Sequence, residues 1–138
     1  MILRDFIKRV FSNKTNVQEK LSLGKLSKEQ INEIQNQTGL NLEGYERVVE
    51  NFGLIHIIKK HGAERIEVSR GQLPITLNDL ELIPEITQNP DKIQLLEKSQ
   101  RGGILIQFVK RIGNLFFYNE EIRTNKKELV TKTMFKRK

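Results

Sequence analysis

The 138-residue sequence contains no cysteine. This absence excludes a disulfide framework, a thiolate metal site and a cysteine nucleophile. No apolar run approaches the roughly 20 residues that a membrane-spanning helix needs, and the N-terminal residues lack the apolar core and the cleavage site of a signal peptide. We therefore expect a soluble protein without a membrane span. It would act in the cytoplasm, either of the producing cell or, as a delivered toxin, of a target cell.

The short motifs of several enzyme classes are also missing. The sequence has no glycine-rich phosphate loop, no Gly-x-Ser-x-Gly nucleophile elbow and no dinucleotide-binding fingerprint. Its two histidines are five residues apart rather than four, and no cysteine or aspartate pair accompanies them, so a zinc site is disfavoured. We expect no metal site and no other cofactor.

Basic residues are in excess, and they are unevenly distributed. The formal net charge is +7. Residues 123–138 contain one acid, Glu128, and seven basic side chains: Arg123, Lys126, Lys127, Lys132, Lys136, Arg137 and Lys138. Charge alone leaves two interpretations open, a surface that faces a polyanion and a solvated basic tail.

The first half of the sequence has mainly helical patterns. Apolar residues at three- and four-residue spacings predict an amphipathic helix over residues 2–11, which docks on the domain's own core or on a partner. Residues 12–24 are polar and predict a loop. Ser27 and Gln30 form a capping-box pattern for a helix that should end at Gly39. We therefore expect helices around a polar connection.

The middle of the sequence mixes short elements with turn signals. Residues 45–50 favour a strand, and residues 51–61 favour a helix that ends at a left-handed Gly62. Gly71 and Pro74 indicate a loop. Thr76 caps a helix from residue 77 to about residue 83, and Pro84 should break or kink it.

The last third of the sequence is rich in β-formers. Four runs separated by turn residues predict strands at residues 92–96, 104–111, 115–123 and 128–136. Gly113 followed by Asn114 is a tight hairpin signal. Helices followed by an antiparallel meander predict an α+β fold.

The two histidines lie in the segment HIIKKHG, as His56 and His61. A histidine pKa near 6.5 suits proton transfer in either direction, and RNA cleavage by the 2′-hydroxyl needs a base, an acid and cations that hold the phosphate. His61 continues the apolar stripe of Leu54 and Ile58, so it should point inward. The other interpretation of His61 is a histidine that only packs or caps.

Polar residues on the predicted strands are the remaining candidates. Strict alternation places Thr131, Thr133 and Phe135 on one face and Lys132 on the other, and it places Tyr118 on a face with Glu120 and Ile122. Hydroxyls and cations interleaved with aromatics could hold phosphate and stack a base. Threonine is also simply a good strand residue. The candidates for phosphate contact are Lys110, Arg123 and Lys132.

Four stretches together carry a family resemblance: LNLEGYERVVENFGLIHIIKKHG, RGQLPITLNDLELIPEI followed by NPDKI, LFFYNEEIR, and LVTKTMFK. In this order, residues 40–138 resemble the phage-associated and polymorphic-toxin branch of the ribonuclease superfamily that groups barnase, EndoU, the colicin tRNA nucleases and RelE. The resemblance implies helices packed on a four- to five-stranded antiparallel sheet, with residues 1–39 as a helical N-terminal extension. By position, it implicates His56, His61, Arg70, Tyr118, Arg123 and Thr133.

The function predicted from this resemblance is a metal-independent endoribonuclease, either a toxin or a phage-encoded nuclease. The catalytic candidates are His56, His61, Tyr118 and Thr133, and the substrate-binding candidates are Arg70, Lys110, Arg123, Thr131 and Lys132. Its partners would be RNA, with tRNA among the candidates, and an acidic immunity or antitoxin protein. The alternative is a basic module that binds RNA or a partner protein without cleaving, and a third hypothesis is a structural domain whose histidines only pack.

Overall fold

A computed structural model describes residues 1–13, 15–96 and 103–138. Its helices are α1 (Leu3–Ser12), α2 (Lys28–Thr38), α3 (Asn51–His61), α4 (Glu64–Ser69), α5 (Leu77–Leu80) and α6 (Ile83–Gln88). Its strands are β1 (Lys20–Lys25), β2 (Glu46–Glu50), β3 (Lys92–Leu96), β4 (Ile104–Ile112), β5 (Asn114–Arg123) and β6 (Glu128–Arg137). The predicted α+β class is confirmed.

The described strands form a six-stranded mixed sheet in the order β1-β2-β6-β5-β4-β3. The predicted sheet of four to five antiparallel strands was therefore wrong in two respects. The polar strand β1 pairs with β2, where the sequence predicted a loop. In addition, β2 pairs in parallel with β6, from which it is separated in the sequence by β3, β4 and β5.

The core lies on one face of this sheet, beneath the helices. It contains Leu54 and Ile57 of α3, Ile83 and Ile86 of α6, and strand residues such as Phe108. Helix α1 buries Leu3, Phe6, Ile7 and Val10 in the same cluster, so its predicted docking on the domain's own core is confirmed. The segment 1–39 thus contributes two helices, α1 and α2, and the strand β1 to the shared core and sheet.

Several helix boundaries follow the sequence signals, and others do not. Helix α2 has the predicted capping box at Ser27 and ends at the left-handed Gly39. The predicted left-handed Gly62 was wrong, because its φ is −96°. Glycine is needed there for space, since a Cβ would lie 2.5 Å from the carbonyl oxygen of Ile58. Pro84 does not break a helix but lies in the first turn of α6, where its missing N–H costs nothing.

The basic C-terminal stretch is not a solvated tail, because residues 128–137 form a strand inside the sheet. Lys136 Nζ lies 2.8 Å from Asp79 Oδ2, and the Arg137 guanidinium covers the ring of Phe117.

An ion pair is enclosed in the core between β2 and β5. Arg47 donates to both carboxylate oxygens of Glu120, at 2.8 and 3.0 Å, and its guanidinium lies 5.1 Å from the centre of the Phe108 ring. The two side chains are 4% and 0% exposed. Because each side chain satisfies the other, this pair links β2 to β5 across β6, and Arg47 also lines a pocket of about 530 Å³.

Candidate active site

Helix α3 lies against β6 at an unusually close approach. A Cβ on Gly53 would be only 3.1 Å from the backbone oxygen of Thr131 and 3.2 Å from its Cβ. Any residue larger than glycine would therefore be crowded at this position. This approach brings His56, one helical turn further along α3, within electrostatic range of Lys132. Helix α3 and the last strand are therefore neighbours at this point.

A bulge in β6 interrupts the alternation of its side chains between the two faces of the sheet. Asn119 of β5 pairs with Thr133 and Glu120 pairs with Thr131, so Lys132 is an additional residue in the ladder. Thr131 consequently faces the core with Glu120. Thr133 and Phe135 face the other way, on the side that we call the outer face, which also carries Phe117 and Asn119 of β5. The expectation that Thr131 and Thr133 share a face was wrong.

His61 is fixed in place by a carboxylate. The residue is 9% exposed, and its Nδ1 lies 3.1 Å from Oε2 of Glu67, a side chain in α4 that is fully buried. The other oxygen of Glu67 accepts from Nη1 of Arg70 at 3.2 Å, and the same Nη1 donates to the Lys60 carbonyl at 3.3 Å. Helix α4 thus folds back on the end of α3 and links His61 to Arg70.

Aromatic rings continue from His61 across the outer face of the sheet. The imidazole centre lies 5.7 Å from that of Phe135, with the two planes tilted by 36°. Phe135 stacks on Phe117 at 4.8 Å with the rings nearly parallel, and the Arg137 guanidinium lies 4.6 Å from the centre of the Phe117 ring. These contacts hold one side of the imidazole while Glu67 holds its Nδ1.

His56 is exposed and surrounded by positive charge. Together with Lys59, Lys60 and Arg70 it lines a surface pocket of about 360 Å³, and with Lys132 these residues are called the cationic cluster below. Partial burial lowers the pKa of His56 below its ordinary value, and Lys60, His61, Lys132 and Lys59 lower it further. The imidazole of His56 is therefore neutral over a wider pH range than that of a free histidine.

Four of the predicted site residues lie elsewhere. Tyr118 is fully buried on the core face, its hydroxyl lies 2.7 Å from Thr131 Oγ1, and burial raises its pKa. Thr131 is likewise buried. Neither side chain is accessible to a substrate, because the alternation of β5 and the bulge of β6 turn both inward. These two positions do not join the candidate site.

The other two are engaged in ion pairs. Lys110 Nζ lies 3.3 Å from Oδ1 of Asp91, whose pKa is lowered chiefly by the hydrogen bond from the backbone N–H of Arg111. Arg123 lies between two carboxylates, 2.8 Å from Glu50 and 3.2 Å from Glu121. Both cations are paired with acids, and neither lines the pocket of the cationic cluster.

Thr133 lies on the outer face, two residues before Phe135, whose ring contacts His61. Its hydroxyl oxygen is buried and has no hydrogen-bond partner in the part of the chain that the structure describes. The sequence reasoning missed Glu67. The only signal was the pair Glu67 and Arg70, three residues apart and just after His61, which sets a carboxylate and a cation on one side of a short helix.

The described residues contain neither a metal-binding group of side chains nor a membrane-spanning helix. In ranges 1–13, 15–96 and 103–138, no three or more His, Cys, Asp or Glu side chains are grouped so as to hold a metal ion. None of the helices in the same ranges is long and apolar enough to cross a membrane.

Comparison with known proteins gives one match. No match to the chain was found among curated proteins or among solved structures. The family model described as "phage-Barnase-EndoU-ColicinE5/D-RelE like nuclease3" matches residues 24–138, which includes the whole cationic cluster, His61 and Glu67. The match confirms the resemblance, although it begins at residue 24 rather than at residue 40. The chain therefore belongs to this barnase-like nuclease family associated with phages.

Proposed function

We propose that this nuclease is a metal-independent endoribonuclease, which cuts RNA by attack of the 2′-hydroxyl and leaves a cyclic phosphate. The observation that carries the proposal is the placement of His61, which is held by the buried Glu67 at the border of the cationic cluster. The arrangement joins a fixed proton-transfer group to a set of phosphate-binding cations. Both are needed for this reaction.

His61 is proposed as the general acid. A carboxylate only accepts hydrogen bonds, so the contact with Glu67 requires the proton on Nδ1 and leaves Nε2 as the nitrogen that exchanges a proton with the substrate. Glu67 also fixes the orientation of the ring. Nε2 would then protonate the leaving 5′-oxygen.

His56 is proposed as the general base. Its lowered pKa keeps the imidazole neutral near pH 7, and a neutral imidazole is the form that can accept the proton of the 2′-hydroxyl. The cations that lower this pKa also provide the charge that binds a phosphate. In this proposal Lys59, Lys60, Arg70 and Lys132 stabilise the negative charge that develops on the scissile phosphate.

The test is an RNA digestion in the presence of EDTA. Purified protein should shorten total RNA. It should also cut an RNA oligonucleotide and leave the DNA oligonucleotide of the same sequence intact, because DNA lacks the attacking 2′-hydroxyl. His61→Ala should abolish the cutting. Lys28→Ala, which removes an exposed cation from α2 outside the cluster, is the matched control and should cut normally.

Three outcomes would count against the proposal. Cutting that persists in His61→Ala would remove the histidine mechanism. Cutting that EDTA abolishes would remove metal independence. RNA that binds the wild-type protein in a salt-sensitive manner but stays intact would favour the alternative, a basic RNA-binding module without catalysis.

A further inference from the structure

Phe52 stands apart from the other aromatic residues of the chain. It is 41% exposed, and every other phenylalanine and tyrosine is buried or partly buried in the described ranges. Its ring is also absent from the hydrophobic core cluster. A single exposed apolar side chain is not unusual in itself, so the position of Phe52 decides its meaning.

Phe52 lies on the same side of α3 as the cationic cluster. In an α-helix each residue turns by about 100°, so residues four and seven positions after Phe52 lie within about 40° of it. These residues are His56 and Lys59, and both are exposed. The exposed side of α3 therefore presents an aromatic ring, an imidazole and an ammonium group in succession.

The aromatic rings on the outer face cannot take the place of Phe52. The Phe135 ring already stacks on Phe117 and has His61 as a second ring neighbour. Phe117 is covered by Phe135 on one side and by Arg137 on the other. A nucleobase that stacked on either ring would have to displace one of these neighbours, whereas the exposed Phe52 has no ring or cation neighbour among the described contacts.

We propose that Phe52 is the stacking surface for a nucleobase next to the phosphate bound by the cationic cluster, so that the substrate is an unpaired stretch of RNA. Base-paired nucleotides have both faces covered by their neighbours, whereas the bases of a single strand can be splayed onto a side chain. This inference rests on the proposed function for the position of the phosphate. It adds the strandedness of the substrate and the residue that determines it.

Fluorescence gives a direct test, since the chain contains no tryptophan. Phe52→Trp provides a single reporter, to be titrated with a 2′-O-methyl RNA strand, which cannot be cut because its 2′-oxygen is blocked. We expect quenching of the emission by the single strand and little change with the corresponding duplex. Leu95→Trp is the matched control, because Leu95 is 42% exposed but lies on β3 at the far edge of the sheet; its emission should not change.

The second measurement is affinity. Base-aromatic stacking of about 1–3 kcal/mol corresponds to roughly 5- to 150-fold, so Phe52→Ala should weaken single-strand binding by that factor, and Phe52→Tyr should restore it. Equal affinity of Phe52→Ala and wild type would overturn the inference, as would equal quenching by single strand and duplex. These outcomes are independent of RNA cutting by the wild-type protein, which is what tests the proposed function.

Discussion

Two carboxylates in this molecule are completely buried beside a positively charged or protonatable partner, yet they serve different purposes. Glu120 pairs with Arg47 in the core, where Phe108 covers the guanidinium and Arg47 also lines a pocket that shares no residue with the cationic cluster. Glu67 binds His61, and from there the contacts lead outward to Arg70, whose side chain is 42% exposed. Burial of an acid therefore does not mark an active site by itself. What distinguishes Glu67 is that its contacts lead to His61 and to Arg70, which lines the pocket of the cationic cluster.

The largest expected effect is the loss of RNA-cutting rate in His61→Ala. General acid-base catalysis contributes about 10²- to 10⁴-fold, so the initial rate of RNA cutting should fall by this factor. The free energy of unfolding, measured by urea denaturation, confirms that the variant is folded at the assay temperature. A variant that is folded and fully active would show that the His61–Glu67 pair is as purely structural as Arg47–Glu120.

The next effect should appear in stability rather than in rate. Glu120→Ala leaves Arg47 buried without its acid, and breaking a buried ion pair costs about 3–5 kcal/mol. Urea denaturation should show this loss. Glu29→Ala, which removes an exposed carboxylate on α2, should stay within about 0.5 kcal/mol of wild type. A loss at Glu120 no larger than at Glu29 would contradict the structural role of the core pair.

Glu67→Gln should have a smaller effect on rate than the loss of the imidazole. The amide keeps the size, but one carboxylate oxygen is replaced by an NH₂ group that cannot accept, so the contacts that orient His61 and Arg70 are weakened and kcat should fall about 10- to 100-fold. KM should change little, because Glu67 is buried and does not touch the RNA. A rise in KM with unchanged kcat would instead assign Glu67 to substrate binding.

The smallest effect is a shift in titration. Lys60→Met should raise the pKa of His56, because it removes the largest of the charges that lower it, and Lys132→Met should raise it by less. The chain has only two histidines, so proton NMR of the imidazoles can follow each one. If the base is His56, the acidic limb of the kcat/KM profile should move to higher pH in the same order. Lys28→Met should leave both the pKa of His56 and the acidic limb of the profile unchanged.

Local patterns gave much of the fold, and long-range contacts supplied the rest. The capping box at Ser27 and the β-rich runs were visible in the sequence because each depends on neighbouring residues. Strand β1 was missed because only Leu21 and Leu23 are half-buried in a polar edge strand. The parallel pairing of β2 with β6 joins residues about 80 positions apart, and no local pattern encodes such a pairing.

The candidate site was predictable to a similar degree. The inward position of His61 followed from the apolar stripe of α3, and it is confirmed. Glu67 could not be found, because six residues of α4 are too few for a periodic pattern and its burial depends on packing against α3. The bulge at Lys132 was equally invisible, and it decides which threonine faces outward. Tyr118 was assigned to the site by resemblance, although the alternation of β5 already placed it with Ile122.

The late position of β6 in the sequence has a consequence for protein synthesis. His56, His61 and Glu67 are all translated before residue 70, whereas Lys132 and Phe135 come from the segment that β2 and β5 enclose between them. A nascent chain that lacks residues 128–137 has no strand between β2 and β5, so these two strands cannot join into one sheet. The candidate active site can therefore be assembled only after β6 has emerged from the ribosome.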